Sequence, residues 1–176
     1  MSQVKVDWAA LAEKLHKLYG GKIETIAKVP VIRFDDFNIW YTPGVAEPCR
    51  RIQRTSEDAS FDYTWRWNTV AVISDGTRVL GLGNIGPAAG LPVMEGKCLL
   101  FKYLGGVDAI ALCINSFSER GVHDPDKIIH FVKMLEPSVG AVNLEDISQP
   151  QCYKVLDTLR EICEIPVWHD DAQGTG

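Results

Sequence analysis

The chain has 176 residues, 46% of them apolar and 23% charged, with a net charge of −5; this suits one core and leaves no room for two large domains. No apolar run approaches the roughly 18 residues needed to cross a bilayer, so no membrane segment is expected. Lys and Arg do not interleave with aromatics, which argues against a nucleic-acid binder and means that an anionic substrate would need local cations.

The opening MSQVKVDWAALAEKL lacks the basic stretch, apolar block and small-residue cleavage site of a secretory leader, so a cytoplasmic location is expected. Five cysteines, Cys49, Cys98, Cys113, Cys152 and Cys163, are an odd number without a C-x-x-C pair. They read as buried small apolar residues rather than as disulfides or a zinc site.

In chain order, residues 7–19 place Trp8, Leu11, Leu15 and Leu18 on one helical face, with Asp7 as N-cap and Gly20-Gly21 as the stop. A polar connection leads to a turn at Tyr41-Thr42-Pro43-Gly44, then to a helix ending near Arg50, Arg51 and Arg54. Residues 55–64 read as loop. Four apolar runs follow, at 69–74, 108–114, 140–144 and 166–168, separated by helix-length segments near 88–104, 125–135 and 149–162. This alternation predicts an α/β fold: a mostly parallel sheet flanked by helices in three α/β/α layers, preceded by a helical segment. One compact domain is expected over 1–176, with a helical arm over 1–60 and the α/β core over 65–176.

Ligands of open α/β sheets bind beyond the carboxyl ends of the strands. Following each run stand Ser74-Asp75-Gly76-Thr77-Arg78, Asn115-Ser116, Glu145-Asp146 and His169-Asp170-Asp171, so polar groups from four strands are expected to meet in one crevice. Glu145, Asp146, Asp170 and Asp171 would repel one another unless a cation sat between them, and an all-oxygen set favours Mg²⁺ or Mn²⁺ over zinc. The plainer reading makes them solvated loop residues or N-caps. Lys97, in an apolar stretch, reads either as a base with a lowered pKa or as a snorkelling surface lysine. Tyr41 is a proton donor or an aromatic wedged by Pro43, and His169 a metal ligand or a hydrogen-bonding neighbour.

Gly81-Leu82-Gly83-Asn84-Ile85-Gly86 fits G-x-G-x-x-G, the fingerprint of a dinucleotide site. Against that, Pro87, Gly90 and Pro92 are expected to delay the helix that would cradle a pyrophosphate, and the next strand ends in Asn115 rather than a ribose-binding acid. The alternative is a close-packed turn that carries Arg78 and Lys97 into the crevice.

The segments YTPGVAEPCR, SDGTRVLGLGNIGPAAGLPVMEGKCLLFK, NLEDIS and WHDDAQGTG together resemble the successive signatures of malic enzymes, from about residue 20 onward. The resemblance implies oxidative decarboxylation of (S)-malate to pyruvate with NAD or NADP, and a homodimer or higher oligomer. By position it implies Tyr41 as general acid, Lys97 as general base, Asp170 as support for the lysine, and Arg78 as a contact to a malate carboxylate. Glu145, Asp146 and Asp171 match the ligands of Mg²⁺ or Mn²⁺. Asn84, Ala172 and Gly176 depart from the family's usual residues, and none of the three touches the expected proton-transfer pair. A nicotinamide-binding Rossmann domain is expected to lie outside these 176 residues. Two other readings compete: a stand-alone nucleotide-binding module built on Gly81 to Gly86, and a non-catalytic regulatory subunit.

Overall fold

The computed structural model describes residues 6–175; residues 1–5, part of the stretch read for a leader, and Gly176 lie outside it. Helix α1 (Trp8–Tyr19) starts where the Asp7 carboxylate accepts from the N–H groups of Ala9 and Ala10, and stops at Gly20 in the left-handed region, φ 68°. Among the described residues its apolar stripe is left largely uncovered: Trp8 is 73% exposed and Leu18 72%.

The connection to Pro43 holds a 3₁₀ turn at Phe34–Asp36 and the short helix α2 (Phe37–Trp40). After it come α3 (Ala46–Thr55), a 3₁₀ turn at Glu57–Ala59 and α4 (Ser60–Tyr63). Residues 57–63 are therefore helical where the sequence reads as loop. Turns this short carry too little apolar periodicity to register in a sequence pattern.

The core is a four-stranded, all-parallel sheet of β1 (Thr69–Ser74), β2 (Asp108–Cys113), β3 (Ala141–Leu144) and β4 (Val167–His169). The strand order is β2-β1-β3-β4, so β1 is central and wholly buried. The fourth strand begins one residue later than expected, at Val167. Pro166 has no N–H to give the ladder, although its carbonyl accepts from Val142.

Alternate side chains of the strands face opposite layers. Val72 packs with Met94 and Cys98 of α5 (Gly86–Gly105). Ala71, Ile73, Val142 and Leu144 pack with Ile128 and Val132 of α6 (Pro125–Leu135) and with Val155 and Leu159 of α7 (Gln151–Ile162). One helix on one face and two on the other make the three-layer α/β/α architecture. Two of the five cysteines, Cys98 and Cys152, are buried; Cys113 and Cys163 are half-buried, and Cys49 is exposed.

Helix α5 opens at Gly86, with no delay at Pro87. Proline in a first turn costs nothing, because those N–H groups have no intrahelical acceptor. Pro92 is accommodated inside the helix, and its carbonyl accepts from Lys22 Nζ.

Candidate functional site

Sequential connections run β1 to β2 in one direction along the sheet and β3 to β4 in the other, so the loops after β1 and β3 diverge and leave a crevice between them. A cavity of about 700 Å³ lies there, lined by Arg78, Leu80, Val93, Lys97, Glu145, Asp146, Ser148, Gln149, Asp170, Asp171 and Thr175. Three of the four strand ends supply it. The fourth does not: β2 is the far edge strand, Ser116 is buried against Asp75, and Asn115 faces a separate recess with Leu91 and Phe131.

The floor is held by backbone bonds between loops. Glu145 N–H donates to Ile73 O, extending the β1–β3 ladder, and Arg78 N–H donates to Asp146 O. Asp146 N–H donates to Asp171 Oδ2 at 3.0 Å, which joins the β3 and β4 ends. Asp146 and Leu80 both adopt left-handed backbone, φ 55° and 47°, a conformation costly for a side chain such as leucine and characteristic of functional loops. After β4 the chain makes a wide helical turn at Asp170–Gly174. A Cβ on Gly174 would lie 2.6 Å from Asp170 Oδ1, so glycine there leaves room for that carboxylate.

Lys97 projects from α5 onto the acids, with Nζ 2.9 Å from Asp170 Oδ2 and 3.3 Å from Glu145 Oε1. Burial pulls the pKa of Lys97 down, but the hydrogen bond to Asp170 and the charges of Glu145 and Asp170 outweigh it and hold the ammonium above its ordinary value. It is neither a snorkelling lysine nor, in this arrangement, a neutral one. Glu145 is pushed up to about 7, chiefly by burial; the hydrogen bond from Asn143 and the charge of Lys97 oppose the shift, and Asp170 and Asp171 add to it. Asp146 is raised to about 6, again by burial first and then by Asp171.

Among the described residues, no three His, Cys, Asp or Glu side chains already converge as a cation cage. The donor chemistry nonetheless fits a hard cation. Four carboxylates and no soft ligand face the cavity, two of them, Glu145 and Asp146, are raised by desolvation, and Asp146 Oδ2 is buried without a hydrogen-bond partner. Asp146 does not cap α7, which begins five residues later.

His169 is a hydrogen-bonding neighbour: it is 1% exposed, and its Nδ1 accepts from Ala172 N–H at 3.3 Å. Tyr41 is not brought to the cavity. It follows α2, is 68% exposed, and does not line the pocket. Residues missed in the sequence are Ser148, Gln149, Leu80, Val93 and Thr175; the first two follow a strand end by only a few positions, which is the one signal that could have marked them.

The glycine loop is closed on itself. Val79 bridges Gly83, and the N–H groups of Ile85 and Gly86 both donate to Gly76 O, so donors that would face a pyrophosphate are used within the turn. A Cβ on Gly76, φ 67°, would sit 2.2 Å from Gly86 O, which shows how closely the two segments approach.

Comparisons with known proteins agree with this fold. The model of the malic enzyme N-terminal domain matches residues 20–160. The NAD-dependent malic enzyme of Geobacillus stearothermophilus is 50% identical over 89% of this chain and 31% of its own length. The NADP-dependent malic enzyme of Haemophilus influenzae is 49% identical over 88% of this chain and 20% of its own. The crystal structure of Entamoeba histolytica malic enzyme superposes with a TM-score of 0.92 at 54% identity, covering 96% of this chain and 34% of that one. The chain thus spans about a third or less of these relatives, and it belongs to the malic enzyme family.

Proposed function

We propose that these 176 residues form the malate- and metal-binding part of an enzyme that oxidatively decarboxylates (S)-malate to pyruvate and CO₂, with NAD or NADP bound by a Rossmann domain outside them. The observation that supports this best is Lys97 held between Asp170 and Glu145 on the wall of a cavity that Arg78, Asp146 and Asp171 also line. A basic amine, a guanidinium and an oxygen-only set of acids suit a small dicarboxylate bearing a hydroxyl.

In this reading Glu145, Asp146 and Asp171 hold Mg²⁺ or Mn²⁺, which when bound supplies Lewis-acid polarisation of the substrate oxygens and neutralises the acids around Lys97. Lys97 would take the proton from the C2 hydroxyl, and NAD or NADP, when bound, would supply the hydride acceptor. Asp170 keeps the amine aimed at that hydroxyl. Arg78 holds a malate carboxylate by charge-assisted hydrogen bonds. Tyr41 is the proton donor by resemblance; within one chain it stands on the exposed arm, so this role requires the arm to be seated differently from its placement here.

The test has two arms. Mn²⁺ or Mg²⁺ should bind the 176-residue chain by calorimetry, and Glu145→Ala or Asp171→Ala should abolish that binding. In a polypeptide that includes the nicotinamide domain, Lys97→Met should lower kcat by roughly 10²-fold or more, the scale of a lost general base. NAD binding to the 176 residues without any cation would favour the nucleotide-module reading instead. Robust malate oxidation by the 176 residues alone would refute the division of labour proposed.

A further inference from the structure

Behind the cavity wall lies a charged group that the mechanism above does not use. Asp75, at the end of β1, is 0% exposed. Its Oδ1 accepts from Thr77 N–H at 3.1 Å and Thr77 Oγ at 2.6 Å, and its Oδ2 accepts from Ser116 Oγ at 2.7 Å. His123 Nε2 lies 2.6 Å from the same Oδ2. The approach is not well aligned for a linear hydrogen bond; an N–H at Nε2 avoids the repulsion of two lone pairs at that distance.

The other ring nitrogen, Nδ1, faces Ser148 Oγ at 3.5 Å, and Ser148 lines the cavity. Such contacts are commonly long before a ligand is bound and tighten with it. Asp75 also fixes the serine from the backbone side: the Thr77 hydroxyl that donates to Asp75 accepts from Ser148 N–H at 2.9 Å. Ser148 O in turn accepts from Cys152 N–H in the first turn of α7. A buried carboxylate thus governs one cavity hydroxyl by two routes.

We infer that Ser148 donates a hydrogen bond to a carboxylate of the bound substrate, and that His123, held by Asp75, is the positioning residue that frees its hydroxyl to do so. The inference rests on the malate reading above. The groups facing the ring are Asp75 from β1, Ser148 from beyond β3, and the Phe117 ring, 5.7 Å away on its own loop. With both nitrogens protonated, Nδ1–H donates to Ser148 Oγ and the serine proton points into the cavity. With Nδ1 bare, the serine proton is drawn back to the ring and the cavity meets only an acceptor. An anion selects the first arrangement.

The test is calorimetric titration of (S)-malate into the 176-residue chain with saturating Mg²⁺. Ser148→Ala should weaken malate about tenfold, the scale of one hydrogen bond to a charged group, with Mg²⁺ affinity unchanged within about twofold. His123→Leu should lose a comparable factor, and the double variant no more than Ser148→Ala alone, since both remove one interaction. Ser148→Thr, which keeps a hydroxyl, should restore most of the affinity. Imidazole ¹⁵N shifts of His123 should move toward the doubly protonated form on adding malate, which a purely structural histidine would not show. If wild type binds neither Mg²⁺ nor malate, the malate reading falls and this inference with it. If wild type binds both and Ser148→Ala binds malate equally well, or the two losses add, the inference alone is overturned.

Discussion

Glu145 shows how one residue couples the site to folding. Its carboxyl is raised to about 7 by burial above all, so its protonated form favours the fold, and that contribution is lost as pH climbs through the folded value. His169, held below its ordinary value by burial, acts in the opposite sense at acid pH, where its protonation opposes folding; above it, from about pH 6.5 to 8, Glu145 contributes most of the loss, with Asp146, raised to about 6, adding in the same sense at the lower end. In chelator the melting temperature should fall across that window, and Glu145→Gln should flatten the fall. Thermal scans at three pH values check this, and equal slopes for both proteins would refute it. At pH 8, adding Mg²⁺ should raise the stability of wild type by about 2.7 kcal/mol at a hundredfold excess over Kd, and should leave the melting curve of Glu145→Gln nearly unmoved.

Among the elements, α6 and α7 show what holds the sheet's fuller face. Leu159 is wholly buried against β3 and α6 residues, so Leu159→Ala should cost about 2–5 kcal/mol in chemical denaturation. Beside them Glu136, buried at 7% exposure, accepts from Glu164 N–H and pairs with Lys133, tying the end of α6 to the chain after α7. Burial would raise its carboxyl, yet those bonds hold it below the usual range. Such a group stabilises above its unfolded value, with the contribution lost as pH falls through the folded one. Glu136→Ala should therefore destabilise by about 1–3 kcal/mol at neutral pH, and by less in acid; an unchanged difference at both pH values would count against the ion pair. At the β1 end, Gly76→Ala combines an unfavourable φ with a backbone clash and should cost more than a surface substitution's roughly 0.5 kcal/mol, read from the same denaturation curves.

For the whole molecule, the uncovered apolar surface of the N-terminal arm is the feature most in need of a partner. Trp8, Leu18, Ile26, Ile32 and Phe34 are all exposed, and helix α1 buries none of its residues, although solvent-facing patches of that kind mark interaction surfaces. The homodimer that the family resemblance implies would cover this surface. Sedimentation should show a dimer that Trp8→Ser with Leu18→Ser shifts to monomer; a monomeric wild type at micromolar concentration would count against it.

The sequence by itself determined the elements with strong periodicity or clear punctuation. Strand β1 is the uninterrupted run 69–74, α6 follows its apolar spacing between Pro125 and Leu135, and α1 lies between Asp7 and Gly20, because short-range sterics and capping act within a few residues. It also placed Arg78, Glu145, Asp146, Asp170 and Asp171 together, since they follow strand ends that share one edge of a parallel sheet, whereas Lys97, on helix α5, was marked by the family resemblance. Only the tertiary structure decided the rest. The order β2-β1-β3-β4 removed β2's loop from the cavity, set Asp75 behind the wall with His123, and left Tyr41 on the arm. These placements depend on which strands pair and which faces meet across separations of 41 to 73 residues, as in Ser116 to Asp75 and Lys97 to Asp170, and local periodicity carries no information over that distance.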